Sequence, residues 1–376
     1  METRTATSSR AEPRARAAVT VPELYSIAPF RAALFTWRSA RGPFATVVCK
    51  ATYRLAPTES PLAEQQEYPN EDDDHWNDDP ARSLHASSDL VPVKPRAEVL
   101  VVGSAFAGSA PKRKLVARVI VGDVDKSIQV VGDRHYAADR SLTEPTAFTK
   151  MPLRYERAAG GPGTSNPVGV SWENVDGRGR TKLPNILPVE FEPGPEPGPI
   201  DSVGFGPISR TWPLRAARLD KAGERWLRPA HQDEPMPESF DASFFLSAPH
   251  DQHLDELRAN ERIVLEHLHP HERRLVTSLP GIEPRVFVDR GGGAPHELAM
   301  RGDTLWIDTE RAICTLVWRG QAPLGAEPVA IVVASSTIGQ RLVWADVKPL
   351  LGRPVLGTAA AMRLERGPRP SVPPPS

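Results

Sequence analysis

The sequence predicts a mainly β protein of sandwich-like antiparallel sheets, with long loops and few short helices. Three observations carry this expectation. Short β-branched runs recur along the chain, from Pro43–Leu55 to Val329–Ala334. Prolines number 40 among 376 residues, about twice the usual share of ~5%. Proline is excluded from helix interiors and central strands, so the elements between them must be short and the loops many. Finally, no stretch holds a long helical period, and no internal repeat appears.

Taken in order, residues 1–22 have scattered arginines and no apolar segment of a secretory signal. They are rich in Arg and Ser, as transit peptides are, but Glu2 and Glu12 argue for a disordered arm instead. Pro43–Leu55, PFATVVCKATYRL, is β-branched and partly alternating, which predicts a strand. Glu71–Pro80, EDDDHWNDDP, is an acidic loop. Ala97–Ala107, AEVLVVGSAFA, predicts a second strand. Lys114–Val121 and Ser127–Val131 flank the turn-rich GDVDK and form a hairpin that Gly132-Asp133-Arg134 ends.

The middle, about Thr149–Pro237, is punctuated throughout, most densely by PGPEPGP at Pro193–Pro199, which reads as an exposed loop. One short helix is expected around Asp251–Arg258. Strands follow at Ile263–Leu268, Leu275–Leu279, Arg285–Val288, Thr304–Asp308, Ile313–Trp318 and Val329–Ala334. The expected core includes Val47, Val48, Leu100, Val101, Val119, Ile120, Val317 and Val332. Residues 23–335 then make one β-rich domain, with a division into packed subdomains at about 23–145 and 146–335 left open. Residues 336–376 form a C-terminal extension with a disordered Pro-rich tail. Loops this long in a compact domain suggest that loops carry the binding function.

The formal net charge of -1 favours neither nucleic acid nor an anionic membrane as partner. Apolar runs such as Val329–Ala334 are far too short to span a bilayer. Cys49 and Cys314 each sit in an apolar run, as buried core thiols do. The expectation is a cytoplasmic protein without a cofactor.

The stretch Lys150–Gly169, KMPLRYERAAGGPGTSNPVG, raises the question of a catalytic site most directly. A phosphate loop needs free backbone N–H groups and a following helix. Here the glycines run into Pro162 and Pro167, and no Gly-Lys-Ser/Thr is present. Glu156 between Arg154 and Arg157 would be held by one or both guanidiniums as an ion-paired loop anchor. Cations on either side depress a carboxylate's pKa and make it a poor general acid.

Other constellations are incomplete. The acidic run Glu71–Asp79 has the carboxylate density of a hard-cation loop without its central Gly and final Glu, and reads as a solvated loop. His250 and His253 with Asp251 or Asp255, and His267, His269 and His271, suggest zinc, but Pro270 interrupts the second group. No HExxH, CxxC or GxSxG occurs, and Ser104 in GSAFAG is misplaced for a nucleophile elbow. A spatial Ser-His-Asp set stays open. Tryptophans beside arginines, at Trp37–Arg38, Arg210–Trp212, Arg225–Trp226 and Trp318–Arg319, fit either interface anchors or core indoles under outward arginines.

Several long phrases occur in a fixed order. They are SDLVPVKPRAEVLVVGSAFA (Ser88–Ala107), VVGDRHY (Val130–Tyr136), FTKMPLRYERAAGG (Phe148–Gly161), NPVG (Asn166–Gly169) and LPNI (Leu183–Ile186). GFGPISRTWPLR (Gly204–Arg215), FFLSAPHDQ (Phe244–Gln252) and DTLWIDTERAICTLVWRG (Asp303–Gly320) follow. Together they resemble the bacterial domain-of-unknown-function family 2169, over about Pro29–Ala334. His250 stands where a second proline is common in that family.

The resemblance implies an association with type VI secretion, where some members are regarded as adaptors or chaperones that load a toxic effector onto the spike. It carries over no catalytic residue. The resulting expectation is a non-enzymatic adaptor that meets effector and spike components through Arg154, Tyr155, Glu156, Arg157, Arg210 and Trp212. Gly160 and Gly161 would allow positive φ or close backbone approach there. The competing expectations are a hydrolase-like enzyme using Glu156, Asp251 and His253, and a structural part of the secretion apparatus.

Overall fold

The protein is seen in a computed structural model that describes residues 21–231, 233–291, 293–325 and 329–350. Most of the predicted arm and the predicted Pro-rich tail lie outside these residues. Pro22, at the arm's end, is described and buried.

The expected β architecture is present. The largest sheet has six strands, in the order His253–Leu254, Ala97–Val102, Arg301–Asp308, Ile313–Pro323, Gly42–Arg54 and Arg31–Ser39. A five-stranded antiparallel sheet joins Ile186–Leu187, Val124–Val131, Lys114–Val121, Arg262–Glu266 and Arg274–Ser278. A four-stranded sheet joins Glu23–Ser26, Ala330–Thr337, Ile282–Asp289 and His296–Leu298. Two sheets are mixed: Ala97–Val102 runs parallel to Arg301–Asp308, and Glu23–Ser26 runs parallel to Ala330–Thr337. Strands from both halves of the chain share the six-stranded sheet, and one hydrophobic cluster reaches from Leu24 to Val333.

The pleat explains what each face of that sheet does, because successive side chains point to opposite sides. Val47, Cys49, Val99, Val101, Ile307 and Leu316 belong to the main core with Val119, Ile128, Ile263, Ile331 and Val333. The residues between them make a second face that is buried and largely polar: Thr46, Lys50, Thr52, Glu98, Thr304, Thr315 and Arg319. Buried charges require partners. Loop residues supply them: Asp89 meets Lys50 at 3.0 Å, and Lys94 meets Glu98 at 2.5 Å. Pro92 O accepts from Thr46 Oγ1 and from Gln321 Nε2. Segment 89–94 is thereby stitched across the sheet.

Several expectations change. The strand expected over Ala97–Ala107 breaks at Gly103, whose φ is +98° and whose added Cβ would lie 2.5 Å from Thr309 Oγ1. The helix expected at Asp251–Arg258 is absent. There, His250–Gln252 forms a 3-10 turn, and His253–Leu254 pairs with Ala97–Glu98. Gln252 decides this: it is buried and donates to Val99 O and Phe205 O, which draws the chain to the sheet edge. The helical turns lie instead at Pro213–Ala216, Lys221–Trp226 and Trp344–Val347. Seven of the eight expected core residues are buried; Ile120 is half-buried because it faces away from Val119 and Val121. No helix among the described residues is long and apolar enough to cross a membrane.

Candidate docking surface

The turn Tyr155–Arg157 follows the short strand Lys150–Pro152, which pairs with Ser104–Phe106. Each of its side chains leaves in a different direction. Tyr155 points inward and is buried; its hydroxyl donates to Gly206 O at 3.2 Å, and its ring meets Trp212 edge-on at 5.2 Å. Burial pushes its phenol pKa well above the ordinary value. Gly204 allows this approach, since a Cβ there would lie 2.8 Å from Tyr155 Cε1. Trp212 is buried too, so Tyr155 and Trp212 shape the surface from beneath.

The expected pairing of Glu156 with its flanking arginines is corrected. Glu156 accepts from Ser83 N at 2.9 Å and from Ser83 Oγ at 2.7 Å. Arg157 turns to Asn185 Oδ1 at 3.0 Å and lies 3.7 Å from Asp133. Arg154 lies over the Trp76 ring, 3.9 Å from its centroid, and makes no ion pair among the described residues. The loop closes behind them: Asn166 Nδ2 donates to Tyr155 O and Ala159 O. Gly161 has φ +128°, and a Cβ on Gly160 would lie 2.2 Å from Asn166 O, so both glycines serve the expected backbone roles. Lys150–Gly169 is an ordered loop.

The acidic run is built into the same surface, which corrects its reading as a solvated loop. Arg210 Nε donates to Asp73 Oδ2 at 2.7 Å, and Ser88 N donates to Asp73 Oδ1. Burial alone would raise the Asp73 pKa, but Arg210 holds it below the ordinary carboxylate value. Asn77 and Asp78 are in the left-handed region, at φ 61° and 55°, a conformation that costs of order 1–3 kcal/mol for non-glycine residues.

His85, which the sequence analysis does not single out, stands at the base. Its ring packs edge-on against Trp76 at 4.5 Å and Trp306 at 5.2 Å. Nδ1 lies 3.2 Å from Asp74 and Nε2 lies 3.8 Å from Asp308. Burial pulls its pKa down, and the two carboxylates raise it further than burial lowers it. Nothing in SLHASSD marks it, because its partners come from elsewhere in the chain.

The remaining candidates are held by structural contacts. Asp251 Oδ1 accepts from Lys126 Nζ at 2.8 Å, and the same amine donates to Gly204 O and Gln252 Oε1. His253 Nε2 meets Ala248 O, His267 Nδ1 meets Phe106 O, and His269 Nδ1 accepts from the N–H groups of His271 and Glu272. Among the described residues, no group of three or more His, Cys, Asp or Glu side chains is placed to hold a metal ion. Ser104 is buried and donates to Glu310. Trp37, Trp212, Trp226 and Trp318 are all buried. The half-buried Arg154 lies instead over Trp76, which no arginine adjoins in sequence.

The sequence pattern of a family described as an uncharacterized protein conserved in bacteria (DUF2169) matches residues 40–319, nearly three quarters of the chain. No curated protein matches. No solved structure matches.

Proposed function

The chain belongs to the DUF2169 family, and from that premise we propose that it is a non-enzymatic adaptor or chaperone of the cytoplasm. Its cargo would be a type VI secretion effector, loaded onto the spike. The observation that supports this reading is that Arg154 is fixed on Trp76 and Arg210 on Asp73, while their near neighbours in sequence, Tyr155 and Trp212, pack together in the core. A preorganised arginine and aromatic surface suits protein recognition, because little order remains to be imposed on binding.

The hydrolase reading needs two available carboxylates in one cleft. Glu156 is bonded to Ser83, and Asp251 to Lys126. Neither lines the groove beside Trp172 or the opening between Pro29 and Gln66. This favours the adaptor.

The test is co-expression with any candidate effector encoded beside it. The tagged chain is expected to co-purify with that effector and to raise its soluble yield. An effector that is equally soluble alone and never co-purifies overturns the proposal.

A further inference from the structure

A cavity of about 150 Å³ opens between Tyr136, Trp172, Leu183, Phe191 and the loop Pro193–Pro199. Small-molecule pockets are typically ~300–1,000 Å³, so this one suits one or two side chains of a longer ligand. Its surroundings are unusually apolar for a surface. Trp172 is 41% exposed, and Leu142 and Val175 are exposed beside it. Backbone bridges link Leu142 to Tyr136, Tyr136 to Thr181 and Thr181 to Val175, so these side chains sit on one small sheet. The Trp172 indole N–H donates to no acceptor among the described residues.

The groove already holds one proline-rich segment. Tyr136 Oη donates to Gly194 O at 2.7 Å, within PGPEPGP. This is the chemistry by which aromatic grooves bind polyproline II segments: ring faces take the prolines, and hydroxyl or indole donors take carbonyls that have no internal hydrogen bonds. On the open side, Trp172 offers a second ring and a second donor.

The same chain carries a segment of the matching kind. After Leu350 the sequence continues for 26 residues and includes RGPRPSVPPPS at Arg366–Ser376, with five prolines, two arginines and no acidic side chain. The 15 residues between Leu350 and Arg366 reach ~45 Å at ~3 Å each, about twice the ~21 Å radius of gyration of a chain of this length. The segment can therefore reach across most of the molecule. Two carboxylates stand near: Glu196, which lines the groove paired with Arg140, and Glu190, which adjoins Phe191; Lys182 lines the groove as well.

We propose that the groove between Trp172 and Pro193–Pro199 receives the chain's own proline-rich segment, Arg366–Ser376. Hydrogen–deuterium exchange on the full chain tests it, against a full-length variant with Pro370, Pro373, Pro374 and Pro375 each replaced by Ala. The wild type is expected to exchange about tenfold more slowly at 173–183, the protection that a millimolar effective concentration gives a ~0.1 mM site.

The free peptide RGPRPSVPPPS is expected to restore protection to the variant. Trp172→Ala, with its thermal midpoint checked, is expected to abolish protection in the otherwise wild-type chain. Equal exchange in wild type and proline variant overturns the proposal. Protection that vanishes on tenfold dilution also overturns it, by assigning the occupant to a second copy. Equal rescue by a proline-rich peptide lacking arginines overturns the choice of this segment over a partner's.

Discussion

Glu156 and Ser83 stand 73 positions apart, and two hydrogen bonds join them. The carboxylate takes both the backbone N–H and the hydroxyl of Ser83, so the Tyr155–Arg157 turn is fastened to the arm that leaves the acidic loop. Three features that look separate in sequence become one surface through this contact and through Arg154–Trp76 and Arg210–Asp73.

Glu156→Ala leaves the Ser83 N–H without its acceptor. An unmet part-buried donor costs about 1–3 kcal/mol, and a loss of that size in urea unfolding is the expected result. Ser83→Ala removes one neutral donor and should cost less. An unchanged midpoint for Glu156→Ala would mean that the carboxylate is free in solution, which would return it to the list of catalytic candidates.

Arg319 and Asp303 meet at 2.7 Å on the polar face of the six-stranded sheet, both nearly fully buried. Arg319 also donates to Asp89 O and Val91 O. Arg319→Leu strands a buried carboxylate and two carbonyls, with an expected loss of about 3–5 kcal/mol. Adding Asp303→Leu should recover a measurable part of it, because no unpaired charge then remains. Denaturant unfolding of both single variants and the double variant checks this; a double variant as unstable as the sum of the singles would contradict it.

His85 and Asp308 predict a pH window. Asp308 is pushed down to about 2: burial opposes ionisation, but His85 and Arg311 outweigh it. A depressed carboxylate contributes stability above its ordinary value of 3.8 and loses it as pH falls toward about 2. His85 is raised, so its contribution is complete below its ordinary value of 6.5 and is lost as pH rises through its folded value. The anchoring of segment 74–86 by Asp74, Asp308, Trp76 and Trp306 should be strongest between these limits. Hydrogen exchange of that segment across pH is the measurement. His85→Gln should flatten the alkaline limb and Asp308→Asn the acid limb.

The apolar strands were legible because hydrophobic runs report burial directly: Val47, Val48 and Val101 lie in the core as expected. Ile120 was misread because alternation sets its face, and a continuous apolar run hides alternation. Arg31–Ser39 was missed; its charged ends mask an edge strand that pairs with Gly42–Arg54 over nine positions. At the site, Gly160 and Gly161 announced a fixed loop, since their constraint is local. The choice of Ser83 for Glu156, and of Trp76 for Arg154, was not legible. Both partners lie on segment 74–86, whose position is set by distant strand residues: Trp306 donates to His85 O, and Asp308 lies beside the His85 ring.

Arg154 joins stability to the proposed docking role, and the two can be measured apart. Its guanidinium stacks on Trp76 at 3.9 Å, and its buried Nε has no acceptor. Burial holds its pKa below the ordinary value. A cation–π pair of this kind contributes about 0.5–2 kcal/mol, so a double-mutant cycle of Arg154→Ala and Trp76→Leu should return a coupling in that range.

Arg154→Lys keeps the charge and loses the planar stack, so it should recover little of the coupling. If this pair is a docking anchor, Arg154→Ala should weaken effector capture about tenfold or more, the effect of losing an anchor of over ~1.4 kcal/mol. Wild-type capture that Arg154→Ala leaves untouched, alongside a normal coupling energy, would leave Arg154 as a structural anchor and move the docking face elsewhere.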